Sequence, residues 1–430
     1  MGRYSEYCES GAGWLGELPS HWQLRRISAL YDARNEKVSD QDYPPLSVTM
    51  QGIVPQLETA AKTQDGDNRK LVRTGDFVIN SRSDRRGACG ISAYDGSVTL
   101  ISNVLAPKDR NAMSTRYYSY LFRSEGFADE FYRQGTGIVD DLWSTNWTRM
   151  KNILVARPPL AEQKSIADYL DAKTAEIDAL VADCEREVGL LREYRKAVIS
   201  EAVTKGLDPD APMKRSGSKW VSEIPENWDV IPLKHFSKLI TDGVHQTPEY
   251  IDEGIPFLSI KDMSNGAISF EDCKYISYDQ HLELSKHAPI EEGDLLFARI
   301  GTLGVTVVVK NCPTFDIFVS LGLIKLKGGA INGDYLAYCM NSDYYCSYIQ
   351  TVKAGGGTAA AKFNLGDVSR SPIIQPPPEE QEKIVAYLDA KTSEIDSLIE
   401  AKQEMADKLR EYRKSLISEA VTGKFKVPGV

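Results

Sequence analysis

The segment NSRSDRRG, residues 80–87, places three arginines among small polar side chains, directly after an apolar run that predicts a strand. Guanidinium groups bind phosphates and the guanine edge, whereas amide and hydroxyl groups bind other base edges. This composition is typical of a nucleic-acid contact, and a solvated charged turn is the alternative. The candidate contacts are Asn80, Arg82, Ser83, Arg85 and Arg86.

Two further segments of the first half carry similar groups. LSVTMQG supplies Thr49 and Gln51 after a predicted strand, and DLWSTNWTRMK supplies Asn146 and Lys151 for phosphates. We expect Trp143 and Trp147 in the latter segment to be core residues rather than stacking platforms for bases.

The second half offers its own polar clusters. A loop bounded by glycine and proline carries one set, for which an ordinary turn is the alternative interpretation. Other side chains follow strands in apparent correspondence with the first half: Lys261 is matched to Thr49, and Arg299 and Thr302 to Arg82. The candidates are His245, Gln246, Thr247, Lys261, Arg299, Thr302, Lys362 and Asn364.

Catalytic motifs are missing from this chain. AGGGTAAAK, residues 354–362, lacks the second glycine and the hydroxyl of a P-loop, so we interpret it as a plain loop. The sequence has no Asn/Asp-Pro-Pro-aromatic element of a base methyltransferase, and its five histidines show no metal-ligand spacing. FEDCK, residues 270–274, lacks the paired acids of a nuclease metal site. We predict a non-catalytic chain without its own cofactor or metal.

Composition indicates a cytoplasmic protein with more than one domain. The chain has 430 residues, no apolar run of membrane-spanning length and no apolar signal region at its start. Its seven cysteines are scattered without a Cys-x-x-Cys pair, which favours buried free thiols over disulfides or zinc. The net charge of −10 argues against nucleic acid, although global charge is a weak guide to a local groove.

A long helix is written twice in this sequence. Between Glu162–Thr204 and Glu380–Thr422, which are 218 residues apart, 25 of 43 positions are identical without a gap. Prolines directly precede each copy and neither copy contains an internal proline, so each predicts one uninterrupted helix. Such self-similarity indicates an internal duplication.

Each copy has an apolar stripe at heptad spacing, which is too narrow for a core and requires a partner helix. We expect the two copies to pack on each other as an antiparallel coiled coil. Lys402 interrupts the stripe where the first copy has Cys184, and it either fixes register or extends its amine to solvent. The expected pairing residues are Leu170, Ile177, Cys184, Leu191, Val198, Leu388, Ile395, Lys402, Leu409 and Leu416.

The duplication extends beyond the helix. WLGELPSHW matches WVSEIPENW, and the strand after Gly-Asp recurs in TGDFVIN and EGDLLFA. We therefore predict an α+β protein with a pseudo-twofold repeat, two mixed α/β domains and two long helices. The expected boundaries are 1–157 and 220–375 for the domains, 158–206 and 376–424 for the helices, 207–219 for a linker and 425–430 for a tail.

This arrangement resembles the specificity subunit of type I restriction–modification enzymes. The resemblance rests on the repeated order of Trp-x-x-Glu-Leu/Ile-Pro-x-x-Trp, an α/β domain, Pro-Pro-x-x-Glu-Gln and a helix carrying YLDAKT, LREYRK and ISEAVT. It covers essentially the whole chain. TDGVHQTPEY, residues 241–250, followed by GIPFLSIKDM, is also similar to one class of target-recognition domain in that family.

The resemblance implies a division of labour. Each globular domain is expected to be a target-recognition domain that reads one half of a bipartite target in double-stranded DNA. The helices are expected to set the unread gap and to dock two DNA-adenine methyltransferase subunits that bind S-adenosylmethionine. A restriction subunit would add ATP- and Mg-dependent translocation and cleavage. Alone, this chain is expected to bind DNA poorly.

Two other functional classes remain as alternatives. A protein-interaction scaffold built on the duplicated rod needs no DNA contact from either domain. A self-contained nuclease or methylase is disfavoured because its motifs are missing.

Overall fold

The computed structural model describes residues 2–56, 66–82, 87–137, 143–263, 267–301, 303–329, 331–354 and 361–430. The chain divides into two compact units, each of mixed α+β structure. The first unit comprises Met1–Glu185 and Gln403–Val430, and the second comprises Arg186–Lys402. Because both divisions fall inside the two long helices, Leu160–Lys205 and Pro378–Val421, each unit contains part of both helices.

In its described residues, the first unit contains a four-stranded antiparallel sheet, a three-stranded sheet and three strand pairs. In order, the four-stranded sheet has Cys89–Ile91, Phe77–Asn80, Ser102–Pro107 and Tyr31–Ala33, and the three-stranded sheet has Gly96–Val98, Arg69–Val72 and Lys37–Val38. The pairs are Tyr7–Glu9 with Glu17–Pro19, Gln23–Arg26 with Leu154–Arg157, and Leu46–Thr49 with Gly52–Pro55. The shorter helices are Ile27–Leu30, Thr115–Arg123, Glu125–Arg133 and Trp147–Met150.

The second unit has a four-stranded antiparallel sheet with the same succession of strands along the chain. In order, this sheet has Thr306–Val308, Leu295–Ala298, Leu321–Leu326 and Ser237–Asp242, and a three-stranded sheet has Lys274–Ile276, Ile255–Leu258 and Asp316–Ile317. The pairs are Met213–Arg215 with Glu223–Pro225 and Asp229–Pro232 with Pro372–Gln375. The shorter helices are Leu233–His235, Ile260–Asp262, Tyr278–Leu284, Gly333–Met340, Asp343–Val352 and Leu365–Arg370, the first two being 3-10 helices.

The repeated Gly-Asp element closes the turn before the central strand of each four-stranded sheet. Gly75 and Gly293 both adopt a φ of 86°, a left-handed conformation that favours glycine. The buried Asp76 carboxylate accepts from the Arg73 backbone N–H at 2.9 Å and pairs with Arg34 at 2.7 Å. Asp294 does the same with the Glu291 N–H, at 2.8 Å, and Lys325, at 2.6 Å. The motif is therefore structural.

The repeated Glu-Gln pair anchors the start of each long helix to its globular part. Gln163 accepts from the Ser114 backbone N–H and donates to the Pro158 carbonyl, both at 2.8 Å. Gln381 repeats these bonds with Asn332, at 2.8 Å, and Pro376, at 2.9 Å. Both glutamines are buried, so these bonds satisfy amide groups that are costly to leave unpaired.

The end of each long helix is held by the unit that contains the other helix's beginning. In the first unit, the buried Tyr117 hydroxyl donates to the Val421 carbonyl at 2.8 Å. In the second unit, the buried Tyr335 hydroxyl donates to the Val203 carbonyl at 3.4 Å and to the Ile374 carbonyl at 3.1 Å. The identical Glu-Ala-Val-Thr words at both helix ends therefore lie in equivalent places in the two units.

Most of the predicted apolar stripe is buried. In the first unit Leu170, Ile177 and Leu416 share a core cluster, and the partly buried Leu409 packs against it. In the second unit Ile395 clusters with Val188 and Leu191, while Val198 and Leu388 belong to the main core. Cys184 is 6% exposed, whereas Lys402 remains partly exposed and its amine pairs with Glu187.

Ion pairs join the two long helices inside each unit. Arg413 contacts Asp178 at 2.8 Å, and Arg410 contacts Glu185, in the first unit. Arg195 contacts Asp396 at 2.8 Å in the second unit. Arg195 and Arg413 occupy equivalent positions of the sequence repeat, as do Asp178 and Asp396, so the same pair occurs in both units.

The cysteine prediction holds in part. Cys89, Cys184, Cys273 and Cys339 are buried free thiols, and burial raises the pKa of the Cys339 thiol to about 12. Cys8 is exposed, because it lies on a short strand at the periphery of the first unit, so the prediction of burial is wrong there. Within the described ranges, no helix is both long and apolar enough to cross a membrane.

Truncating a stripe leucine tests the helix packing. We expect Leu388→Ala to lower the free energy of unfolding by about 2–5 kcal/mol, because it leaves a cavity in the core. Leu398→Ala, in the same helix but 46% exposed, is the matched control and should change it by less than about 0.5 kcal/mol. Urea denaturation followed by circular dichroism measures both. Equal losses would contradict the packing described.

Candidate nucleic-acid interface

In the first unit, two polar segments that are distant in sequence lie side by side. Arg82 forms an isolated antiparallel bridge with Ser144, and Ser144 forms another with Thr136. The Thr145 N–H donates to the Ser81 carbonyl at 2.9 Å. The end of the strand Phe77–Asn80 is thereby placed beside the segment before the helix Trp147–Met150.

The second unit repeats this crossing with different side chains. Ile300 forms an isolated antiparallel bridge with Lys362, and Lys362 forms another with Ala354. All three positions lie 218 residues after Arg82, Ser144 and Thr136. One backbone arrangement therefore presents an exposed arginine in the first unit and an exposed lysine in the second.

The expected match of Arg299 with Arg82 is wrong by one residue, since Ile300 is the counterpart of Arg82. Alternation along the strand turns the Arg299 side chain inward, where it is 14% exposed and pairs with Asp242 at 2.7 Å. Thr302, the other matched residue, lies outside the described ranges.

The predicted contacts of the first unit fall into exposed groups and groups used by the fold. Arg82 is exposed, and its N–H donates to the Asn80 side-chain oxygen at 3.0 Å. Asn146 caps the helix Trp147–Met150 by accepting from the Arg149 N–H, and Lys151 is partly exposed. Ser83, Arg85 and Arg86 lie outside the described residues.

Thr49 and Gln51 lie at a hairpin turn. The Thr49 hydroxyl donates to the Gly52 carbonyl at 2.9 Å and accepts from the Gln51 N–H at 3.2 Å. The threonine therefore shapes the turn, while the Gln51 side chain is exposed at its tip. Lys261 is placed differently, because it lies in the 3-10 helix Ile260–Asp262 and its amine donates to the Asp272 carbonyl at 2.9 Å.

The two tryptophans near this crossing are half-buried, in line with the expected core role. Trp147 packs against the main core cluster of the first unit. Trp143 donates to the Tyr132 carbonyl at 2.9 Å, and its ring lies 5.7 Å from the Tyr132 ring.

A buried carboxylate organises the predicted loop of the second unit. Asp242 is 4% exposed at the end of its strand, and it accepts from Arg299 and contacts His245 at 3.0 Å. His287 lies 3.6 Å from the other carboxylate oxygen. One buried anion thus orients a guanidinium and two exposed imidazoles, which is charge-assisted and geometrically specific.

The loop carrying His245, Gln246 and Thr247 forms one wall of a cleft of about 710 Å³. The helix Tyr278–Leu284 forms the opposite wall and buries none of its residues. His281 of this helix contacts the buried Asp316 at 2.6 Å, and burial raises the pKa of that carboxyl while the His281 hydrogen bond opposes the shift. Gln246 and Thr247 are exposed at the rim.

Lys362 and Asn364 lie at the crossing itself. Both side chains are exposed, and Asn364 precedes the helix Leu365–Arg370 without capping it through its side chain. Sequence reasoning missed Asp242 and His287. Asp242 stands three residues before His245 in TDGVH, which was an available signal, whereas His287 reaches the cluster only through tertiary packing.

Comparison with known proteins gives a consistent picture. Residues 225–406 match the family model described as type I restriction modification DNA specificity domain. Over 444 aligned residues the chain is 24% identical to a putative type I restriction enzyme MjaX specificity subunit of Methanocaldococcus jannaschii, covering 96% of each protein. It is 25% identical to the type I restriction enzyme EcoBI specificity subunit of Escherichia coli, over 64% of this chain and 59% of that protein.

Two solved structures share the fold. One, reported in work on complex assembly and conformational transition of the type I R-M system, superposes with a TM-score of 0.71 at 16% identity, covering 94% of this chain and 98% of that chain. The other, the HsdS subunit from Thermoanaerobacter tengcongensis, has a TM-score of 0.51 at 18% identity and the same coverage.

Removing the buried carboxylate tests the charge cluster. We expect Asp242→Ala to lower the free energy of unfolding by about 3–5 kcal/mol, because Arg299 keeps its charge in a largely buried site without its partner. Glu283→Ala breaks an exposed pair with Lys286 and should cost less than about 0.5 kcal/mol. Urea titration compares them, and indistinguishable midpoints would refute the role assigned to Asp242.

Proposed function

We propose that this chain, a member of the family of type I restriction–modification specificity subunits, supplies the DNA sequence specificity of its complex and acts without catalysis of its own. The observation that carries this proposal is the repeated crossing at Arg82–Ser144 and Ile300–Lys362. A shared framework that displays different side chains is suited to reading two different half-sites.

Each globular domain then reads one half of a bipartite target in double-stranded DNA. In the first domain the exposed candidates are Arg82, Gln51 and Asn146, of which Asn146 also caps a helix. Asn80 and Thr49 are less exposed and are engaged in local hydrogen bonds. In the second domain the candidates are Gln246, Thr247, Lys362 and Asn364, with His245 and Arg299 oriented by Asp242. Lys151 and Lys261 are phosphate candidates.

The two long helices are proposed to form an antiparallel coiled coil within a pseudo-twofold repeat, and to set the unread gap between half-sites. Support comes from the ion pairs inside each unit, where residue numbers rise in one helix as they fall in the other. The buried stripe residues support the same arrangement. At 1.5 Å per residue, a 46-residue helix extends roughly 69 Å, which suits a rigid spacer.

Exposed apolar side chains on the helices are proposed to dock two DNA-adenine methyltransferase subunits. The first unit exposes Leu180 and Tyr412, at 42% and 52%, and the second unit exposes their repeat counterparts Leu398 and Tyr194, at 46% and 50%. Each leucine and tyrosine flank the same interhelical arginine–aspartate pair in sequence. Single exposed apolar residues are ordinary on a protein surface, so the support lies in the recurrence of this leucine and tyrosine at equivalent places in both units.

The chemistry of the complex belongs to its partners in this proposal. The methyltransferase subunits carry S-adenosylmethionine, and a restriction subunit carries ATP and Mg. The complex works in the cytoplasm. The net charge of −10 is then tolerated, because the partners supply part of the basic surface that DNA requires.

Mapping methylated adenine in host DNA by single-molecule sequencing tests the function. Deleting the gene should abolish a bipartite motif. Arg82→Ala should weaken or relax recognition in one half of that motif, and Lys362→Ala in the other, because each side chain is exposed at its own crossing. We expect each variant of the whole complex to lose about 1–3 kcal/mol of binding.

Arg215→Ala is the control, since Arg215 is exposed on a strand that pairs with Glu223–Pro225 and is part of neither crossing. An unchanged methylome on gene deletion, with methyltransferase subunits expressed, would refute the function. Loss from the same half-site in both variants would refute the assignment of one domain to each half.

The docking surfaces predict a change in stoichiometry. Tyr412→Ala and Tyr194→Ala should each weaken one methyltransferase site about tenfold, because aromatic residues dominate interface energy. Native mass spectrometry of the purified complex should then show one methyltransferase subunit per chain in each variant, and the double variant should bind neither. Tyr278→Ala, which removes a 63% exposed tyrosine from a short helix, should leave two.

A further inference from the structure

In the first unit, the carboxylate of Glu162 in the first turn of the long helix is hydrogen-bonded to three side chains. Glu162 Oε2 accepts from the Trp22 indole at 2.9 Å and from the Tyr4 hydroxyl at 3.2 Å. Its Oε1 contacts His21 at 2.7 Å. Tyr4 is only 9% exposed, and its ring meets the Trp22 ring edge-on at 5.9 Å. A tyrosine is thus seated against this carboxylate.

In the second unit the equivalent carboxylate has the same surroundings without the tyrosine. Glu380 Oε2 accepts from the Trp228 indole at 2.7 Å, and its Oε1 accepts from the Asn227 amide at 2.8 Å. When WLGELPSHW is aligned with WVSEIPENW, the counterpart of Tyr4 is Asp210, which is exposed. Glu380 instead borders an open cavity of about 560 Å³, here called the Glu380 cavity.

The difference has a simple origin in the number of chain segments. In the first unit two segments cover this region, since Gly2 bridges Lys426, and Phe425 and Val427 are buried beside Tyr4. In the second unit the corresponding wall of the Glu380 cavity is the single segment from Gly206 to Pro212. Leu207, the counterpart of Phe425, is 44% exposed.

The cavity lining suits an aromatic ring with one hydroxyl. Leu207, Pro212 and Ile384 give it apolar walls. The charged lining is mixed, with two lysines and three carboxylates, so it selects neither a free anion nor a cation. These residues are Lys205, Lys383, Asp208, Glu226 and Glu380. Its volume lies within the range of about 300–1,000 Å³ that is typical of ligand pockets.

We propose that the Glu380 cavity binds a tyrosine side chain presented by a segment of another protein. Its phenol donates to Glu380 Oε2, as Tyr4 donates to Glu162 Oε2, and its ring packs over the Ile384 side of the cavity. The occupant is inferred from Tyr4, which shows what this scaffold holds at the equivalent carboxylate. The inference does not depend on DNA recognition, and it makes the two units unequal in the partners they hold.

The test uses p-cresol, the side-chain analogue of tyrosine, with the full-length chain and ligand-observed NMR. We expect saturable binding to the unmodified protein and at least fivefold weaker binding of toluene, which lacks the hydroxyl. Asp210→Tyr, which supplies the tyrosine from within, and Ala211→Trp, which fills the cavity, should each weaken p-cresol binding at least tenfold. Two blocking variants guard against misfolding of either one, and circular dichroism verifies both.

Ser5→Trp is the matched control, because Ser5 is the exposed counterpart of Ala211 in the first unit, and it should leave p-cresol binding unchanged. Tyr4→Ala should create a second p-cresol site. A peptide of residues 1–6, MGRYSE, which contains a single tyrosine, should compete with p-cresol, and its Tyr4→Ala form should not.

Three outcomes would overturn the proposal. The first is no p-cresol binding at millimolar concentration, and the second is binding that neither blocking variant weakens. The third is self-association of the chain in sedimentation that Asp210→Tyr abolishes, since this would assign the cavity to a second copy of the same protein.

Discussion

A helix of more than forty residues with a narrow apolar stripe cannot bury that stripe alone, and the rest of this structure depends on how the stripe is covered. In each unit, the stripe of one long helix packs against part of the other long helix and against a short helix of the globular part. These short helices are Thr115–Arg123 in the first unit and Gly333–Met340 in the second. The buried glutamines Gln163 and Gln381 then fix where each helix begins.

The short motifs shared by the two halves have structural roles. Gly-Asp closes a turn, Glu-Gln anchors a helix, and Glu-Ala-Val-Thr receives a tyrosine hydroxyl at its valine carbonyl. These structural roles need particular residues at particular backbone positions, so both copies of the repeat carry the same residues there. The crossings are instead held by backbone pairing, which leaves the side-chain type free to differ, and Arg82 and Lys362 there are exposed. Arg82 and Ile300 can therefore occupy equivalent backbone positions although one side chain is charged and the other is apolar.

The same logic explains what could be predicted. The α+β class, both long helices and most of the stripe follow from periodicity, since burial every seventh residue is a local property. The inward turn of Arg299 does not follow, because it depends on Asp242, a carboxylate 57 residues earlier that only the sheet brings near. The exposure of Leu180 and Tyr194 could not be predicted either. In the sequence, an apolar residue that flanks the stripe looks the same as a residue that belongs to it.

The first unit is built from two segments that are far apart in the sequence, so it cannot finish folding until the second segment has been synthesised. Its core includes Leu416 and Val421, which the ribosome makes well after their neighbours Leu170 and Ile177. Synthesis from residue 185 to residue 403 takes roughly 10–45 s at ordinary elongation rates, and the first unit remains incomplete for that time. During that interval the apolar stripe of the first long helix lacks the part of its cover that the second long helix supplies. We therefore expect the nascent protein to depend most on chaperones, or on an early partner, while residues 186–402 are being made.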